Sequence, residues 1–292
     1  MSRLLVIIVT YNGMNWIERC LTSIKDSSMN ADIFVVDNGS SDGTIDFLKS
    51  WKGITQLIIS KDNLGFGKAN NLGLKYALNN DYDYAYLLNQ DAWVDSDVLE
   101  TLIGIQAQNK DYGILSPLQL NRDKSRLDRN FIDCCPKGMI SDALCNRLES
   151  LYETRTVMAA HWLVSKECLI TTGFFSPTFP HYGEDDNYIQ RAKYHNFKIG
   201  IVPIVKGTHD RESRPYDLSK SQYYFYIQNL IILSNPVLTK RILRVIKNYI
   251  VMLLTRRAEF DKRYLIKLIK NLKKIRNNRL QSLSTQAFMS EH

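Results

Sequence analysis

Four short apolar runs, Leu4–Thr10, Asp32–Asp37, Gln56–Ser60 and Tyr84–Asn89, alternate with segments of helical periodicity along the first third of the chain. Each run is bounded by polar turn residues, the pattern of parallel strands buried on both faces. Between them, Trp16–Lys25, Thr44–Trp51 and Lys68–Leu78 carry apolar residues at helical spacing, such as Ile17, Leu21 and Ile24. Strand, helix, strand repeated three times demands right-handed crossovers and helices on both faces of the sheet. The expected fold class is therefore α/β, Rossmann-like, with a mostly parallel central sheet. Ligands of such sheets bind beyond the carboxyl ends of the strands, so chemistry is sought in the loops that follow each run.

The rest of the chain is less regular. Asn121 to Glu153 is rich in charge, carries Cys134-Cys135-Pro136 and few periodic apolar residues, and reads as an excursion rather than a domain. Thr156–Val164 then reads as a strand, Asp185–His195 as a helix and Lys198–Val202 as a short strand. After Pro215 the pattern is wholly helical. Ile242, Val245, Ile246, Tyr249, Ile250 and Leu253 fall on one face, and Leu265, Leu268, Ile269 and Leu272 on a second. The expected division is residues 1–215 as the α/β unit and 216–292 as a basic helical region. There is no internal repeat.

Charge follows that division. Lys plus Arg number 38 against 30 acids, a net +8 that first suggests nucleic acid. Between Val237 and Leu280, however, fourteen Lys/Arg face two acids, Glu259 and Asp261, a local +12 that leaves −4 for the remainder. A nucleic-acid groove interleaves its cations with aromatic residues. Here they lie on amphipathic helices, so no nucleic-acid partner is expected. The five cysteines show no metal-binding spacing and read as cytosolic thiols. The six apolar residues from Leu4 to Val9 are too short for a signal-peptide core or a membrane span. The expected location is cytoplasmic.

Five loops carry candidate chemistry. Thr10-Tyr11-Asn12-Gly13 follows the first strand. Asp37-Asn38-Gly39-Ser40-Ser41-Asp42-Gly43-Thr44 follows the second, where an acid can accept from a base or ribose and Asn-Gly and Asp-Gly permit tight turns. Helix capping by Ser41 or Asp42 explains part of the same segment. Asn63-Leu64-Gly65-Phe66-Gly67-Lys68-Ala69-Asn70-Asn71 is not a dinucleotide fingerprint, since it follows the third strand and has Asn70 where the third glycine belongs. It still offers backbone N–H groups and Lys68 to an anion, or is an ordinary loop-to-helix junction. Leu88-Asn89-Gln90-Asp91 ends an aliphatic strand, and strand alternation puts Asn89 and Asp91 on one side as oxygen ligands of the kind Mg²⁺ and Mn²⁺ prefer. Finally, Gly183-Glu184-Asp185-Asp186-Asn187 sets three acids at a helix start, either a general base or merely an acidic first turn. His209 stands in another polar loop.

In this order the segments resemble family-two glycosyltransferases with a GT-A fold, and within them the bacterial rhamnosyltransferase-like enzymes of surface polysaccharide assembly. The resemblance covers residues 3 to 215. It rests on Val9-Thr10-Tyr11-Asn12, Val36-Asp37-Asn38-Gly39-Ser40-Ser41-Asp42-Gly43-Thr44, Asn63-Leu64-Gly65-Phe66 with Asn70-Asn71-Leu72-Gly73, Leu88-Asn89-Gln90-Asp91, Gly183-Glu184-Asp185-Asp186 and His209. It implies that Thr10, Tyr11 and Asp37 hold the base and ribose, and that the loop from Gly65 to Asn70, with Lys68, closes over the nucleotide. Asn12, Asn89 and Gln90 complete that nucleotide-sugar set. Asp91 is implied as the main ligand of a divalent Mn²⁺ or Mg²⁺ and His209 as a second. Asp185 is implied as the general base with Glu184 in support; because Asn187 replaces a more usual acid, Asp185 and Asp186 are interchangeable at this level. Asn89 stands where the family often has Asp.

The implied reaction is a single in-line displacement with inversion at the anomeric carbon, from a dTDP- or UDP-sugar to a saccharide acceptor, and the resemblance implies that this acceptor is linked to a polyprenyl diphosphate. His161 and Trp162 are expected on the acceptor side, with a core Trp as the equal alternative. A sugar-nucleotide pyrophosphorylase is disfavoured by the lack of a glycine-rich, Arg-bearing loop after the first strand. A degenerate binding or scaffolding subunit is disfavoured because Asp91, Asp185 and His209 are all present. The basic helices, with Arg244, Lys247, Lys267, Lys270, Lys273 and Lys274 on their polar sides, are expected at an anionic inner leaflet, on the catalytic unit or against a second subunit as a homo-oligomer.

Overall fold

The computed structural model describes residues 2–211, 221–255 and 261–291. The expected boundary at 215/216 lies outside the described residues, as do Arg256, Arg257 and Glu259. The four expected strands are all present: β1 (Leu4–Thr10), β2 (Asp32–Asp37), β3 (Gln56–Ile59) and β4 (Tyr84–Asn89). They pair in parallel in the order β3-β2-β1-β4. Helices α1 (Ile17–Lys25), α2 (Thr44–Ser50) and α3 (Phe66–Asn79) make the crossovers.

Both faces are covered. Leu4, Val6 and Ile8 of β1 pack with Ile17 and Leu21 of α1, while Leu5 and Ile7 pack with Leu74 of α3 and with Trp162. That is why β1 reads as an unbroken apolar run rather than an alternating one. On the second face α3 lies unusually close to β1, because a methyl at Gly73 would sit 2.5 Å from Ile7 Cγ2.

Beyond β4 the sheet is mixed. β5 (Ala92–Val94), α4 (Val98–Gln108), β6 (Tyr112–Leu120), α5 (Lys137–Leu144), β7 (Tyr152–Glu153), β8 (His161–Ser165), α6 (Lys166–Thr172), α7 (Glu184–Tyr194) and β9 (Lys198–His209) follow in order. The nine strands run β3-β2-β1-β4-β8-β6-β9-β5, with β7 beside β9. β8 lies antiparallel between β4 and β6, and β5 pairs antiparallel with β9. The sheet is thus parallel through its first four strands and mixed after them. The expected strand Thr156–Val164 is realised as His161–Ser165, and the expected short strand Lys198–Val202 extends to His209.

Helices α8 (Ser221–Ser234), α9 (Arg241–Thr255) and α10 (Lys262–Gln281) close the described chain. Tyr226, Ile227, Leu230 and Leu233 of α8 form a small core with Phe179, Val245, Leu268 and Ile275. The expected α9 face divides in two. Val245 and Met252 point inward, whereas Ile242 (63% exposed), Ile246, Ile250 and Leu253 stay exposed, beside Leu243 and Leu254 (78%). The second face divides likewise, with Leu268 buried and Ile269 exposed. Past α10 the chain returns to the α/β part: Ala287 and Phe288 are buried, and Phe174 N donates to Ala287 O at 2.9 Å.

Candidate active site

The fourth loop is not extended. The chain turns at Gln90 and Asp91, and β5 then runs back against β9 with Ala92 opposite His209. Asp210 N donates to Asp91 O at 2.8 Å, locking this register. Strand pairing therefore brings Asp91 beside His209, with Oδ2 3.7 Å from Nε2 and both side chains almost fully buried. The turn also corrects the same-side expectation for Asn89 and Asp91: Asn89 ends β4 half-buried, and Asp91 faces β9.

A separation of 3.7 Å is long for a hydrogen bond but lies within the roughly 4 Å that two metal–ligand bonds of about 2.1 Å can span. One carboxylate and one imidazole make a donor set suited to Mn²⁺ or Mg²⁺ with a diphosphate completing the shell. Among the described residues no group of three or more His, Cys, Asp or Glu could hold an ion by itself. Asp210, which the sequence reading did not single out, lies alongside; it accepts from Trp16 Nε1 at 3.0 Å and pairs with Arg122 at 3.4 Å. The other nitrogen of His209, Nδ1, faces Asp128 Oδ2 at 3.4 Å.

The first two loops are tied to each other and to Gln90. Gln90 Oε1 accepts from Thr10 Oγ1 at 2.6 Å and from Tyr11 N at 2.8 Å. Asn12, in the left-handed region at φ 49°, receives Ser41 N on its Oδ1 at 2.9 Å and donates its own N–H to Ser40 Oγ at 2.8 Å. Asp37 is buried and accepts from Gly39 N and Ser40 N at 3.0 and 2.8 Å. Of this nucleotide set, then, Thr10, Asn12, Asp37 and Gln90 build the rim, and Tyr11, 47% exposed, presents its ring on it.

In the third loop Gly65 has φ +78° and lies against Pro180 O, where a methyl would come within 2.6 Å, so this loop touches the approach to α7. Lys68 is exposed, and Asn70 is buried with its Nδ2 donating to Phe66 O at 3.0 Å. Asn71 was not singled out as a site residue. It accepts from Phe175 N at 2.8 Å and donates to Phe175 O at 3.1 Å, fastening α3 to the segment before α7.

The acid cluster opens α7 behind two left-handed residues, Tyr182 (φ 65°) and Gly183 (φ 84°). Its three members differ. Glu184 is 5% exposed and its Oε2 has no hydrogen-bond partner. Burial, with the Asp185 charge next, pushes its carboxyl up to about 8. Asp186 accepts from Thr156 Oγ1 at 3.2 Å, and burial plus Asp185 raise it to about 6. Asp185 is also raised by burial, but amides of its own turn, the Arg211 charge and the Ala159 backbone pull the other way. Asp185 Oδ1 also accepts from Asp186 N at 2.9 Å.

A carboxyl that stays protonated in the fold but ionises when unfolded contributes stability below its ordinary range, and that stability is lost as pH rises toward about 8. Metal-free Glu184→Gln should therefore melt several degrees above the parent protein near pH ~9, with the gap closing near pH ~5. Parallel melting curves at the two pH values would exclude a buried neutral Glu184.

His161 and Trp162 are both completely buried, which corrects the expected acceptor contact. Every residue of β8 is buried, so both of its faces are covered, and the core alternative for Trp162 is the one realised. Trp162 stacks on Phe175 and donates Nε1–H to Val157 O at 3.2 Å. His161 sits between Tyr86 Oη and Thr208 O, both at 2.9 Å, and burial pushes it down to about 3, leaving it neutral.

The family model for Glycosyl transferase family 2 matches residues 5–153, which includes the first four loops and ends before α7. The low-salt glycan biosynthesis hexosyltransferase Agl10 of Haloferax volcanii is 26% identical over 253 residues, 82% of this chain and 78% of that protein. The dTDP-rhamnosyl transferase RfbF of Shigella flexneri is 22% identical over 212 residues, 71% of this chain and 69% of that one. Among solved structures, S. aureus TarS 1-349 in complex with UDP-GlcNAc superposes with a TM-score of 0.63 at 15% identity, covering 97% of this chain and 84% of the other. At that identity the likeness is one of fold, and it is the GT-A arrangement expected from the sequence.

Proposed function

The chain belongs to glycosyl transferase family 2, a transferase of glycan biosynthesis that uses nucleotide sugars, and we propose that it is a metal-dependent inverting hexosyltransferase. The observation that carries this reading is the buried Asp91–His209 pair set by β5 and β9. RfbF is named for dTDP-rhamnose and TarS is bound to UDP-GlcNAc, which supports a dTDP- or UDP-sugar donor. Asp91 and His209 would hold the divalent cation. Such an ion, when bound, neutralises charge on a diphosphate leaving group.

The chain's own groups do the rest. The rim made by Thr10, Tyr11, Asn12, Asp37 and Gln90 orients the nucleotide, and Asp185 removes the acceptor hydroxyl proton as that oxygen attacks from the opposite face. Glu184, its carboxyl pushed up by burial and the Asp185 charge, supports Asp185 rather than competing with it as the base. Asp185 rather than Asp186 is the base because Asp186 is turned to Thr156. With Trp162 internal, Tyr182, which immediately precedes Gly183 and the acids, forms an aromatic surface with Tyr224, ring centroids 5.3 Å apart, and we place the acceptor sugar there. Anomeric analysis of the product by NMR should show inversion; retention would overturn the single-displacement scheme.

The acceptor is proposed to be polyprenyl-diphosphate-linked, met at an anionic membrane surface through α9. No helix among the described residues is long and apolar enough to cross a membrane. The bare row of Ile242, Ile246, Ile250 and Leu254 with exposed Arg244 and Lys247 instead suits a helix lying in the interface. Ile250→Glu with Leu254→Glu should weaken sedimentation with anionic phosphatidylglycerol vesicles by about tenfold or more, each buried apolar side chain being worth about 1.5–3 kcal/mol. Unchanged sedimentation would assign that face to another surface. Point changes are preferable to truncation, because Ala287 and Phe288 are buried.

A further inference from the structure

We infer that Asp128, in the segment read from sequence as an excursion, is a positioning residue that fixes the His209 ring so that Nε2 is the bare nitrogen facing Asp91. The inference rests on the proposed function for the identity of the ion but on geometry for the ring. Asp128 is fully buried, and its Oδ1 accepts from Asn130 N at 2.9 Å and Phe131 N at 3.2 Å. Its own N–H donates to Gln119 O at 2.9 Å, anchoring the turn to β6. The carboxylate is thus held through Oδ1, and Oδ2, which accepts no hydrogen bond of its own, lies 3.4 Å from His209 Nδ1.

A carboxylate whose Oδ1 already accepts two backbone N–H groups offers acceptor lone pairs at Oδ2, so a ring N–H of His209 is drawn to Nδ1 and the lone pair is left on Nε2, toward Asp91. Outer carboxylates of this kind fix the tautomer and orientation of metal-binding histidines. A purely structural Asp128 would do no more than cap the Asn130–Phe131 turn. Asp128→Asn separates the two roles: its amide oxygen still accepts from those N–H groups, while its NH₂ now faces Nδ1 and drives the ring proton to Nε2.

Titration calorimetry with Mn²⁺, and with Mn²⁺ plus UDP, should show Asp128→Asn binding the ion about 10- to 100-fold more weakly, with its metal-free melting temperature close to the parent's. In a His209→Ala background the same change should add less than about twofold, since the effect passes through the ring. A folded Asp128→Asn that binds Mn²⁺ as tightly as the parent overturns the inference. Should Asp128→Asn fail to fold, ¹⁵N NMR of the unsubstituted protein decides: a proton on His209 Nδ1 supports the assignment, and one on Nε2 overturns it. A parent protein that binds no Mn²⁺ contradicts the proposed function, while the tautomer still decides the role of Asp128.

Discussion

Asp185→Asn should lower kcat by roughly 10³-fold, within the range set by loss of a general base, while Mn²⁺-dependent binding of the donor stays within about twofold of the parent. The amide keeps the size of the carboxylate and still accepts from the Asp186 N–H at 2.9 Å, so α7 keeps its start. What it loses is the ability to take a proton. Asp186→Asn is the matched control, because its partner is Thr156 and its expected loss is under about tenfold. Stopped-time assays of nucleoside diphosphate release, with and without acceptor, separate the two carboxylates. A larger loss in Asp186→Asn would exchange their roles.

Asp91→Ala should have the second large effect, a fall in kcat/KM of about 10³-fold or more, as expected when stabilisation of several kcal/mol by an ion is lost. Here donor affinity falls along with turnover, which distinguishes this site from Asp185. His209→Ala should follow in the same direction but with a smaller loss. It removes one neutral ligand, whereas Asp91 supplies the negative charge. Rescue of Asp91→Ala by added Mn²⁺ at millimolar concentration would show a weakened site. Full activity in the presence of EDTA would mean that no ion takes part.

The first half of the fold was legible because its strands are buried on both faces and its crossovers are amphipathic, a pattern that a single sequence carries openly. β5 was not legible. It has three residues, and its meaning comes from pairing with β9 far along the chain, which is also what places His209 against Asp91. The residue pattern alone therefore offered Asp91 and His209 as separate candidates, and only the family resemblance joined them as ligands of one ion. For Trp162 the sequence left acceptor contact and core packing even, because which layers cover a strand's faces is not written in its own residues; all five residues of β8 are buried. Asp128 gave no signal at all, since it lies in an irregular turn whose burial depends on β6 and β9. In α9 the apolar stripe was plain from the sequence, but it is wider than α8 covers, and only packing shows which part is left bare.

The central claim is that Asp91 and His209 form the place where a nucleoside diphosphate meets a divalent ion. Calorimetric titration of UDP and of dTDP into the protein, with Mn²⁺ and then with EDTA, tests it most directly, with Asp91→Ala run in parallel. The account predicts Mn²⁺-dependent binding of at least one nucleotide by the parent protein, lost with EDTA and in Asp91→Ala. Binding of equal strength in all three conditions, or none in any, would contradict it.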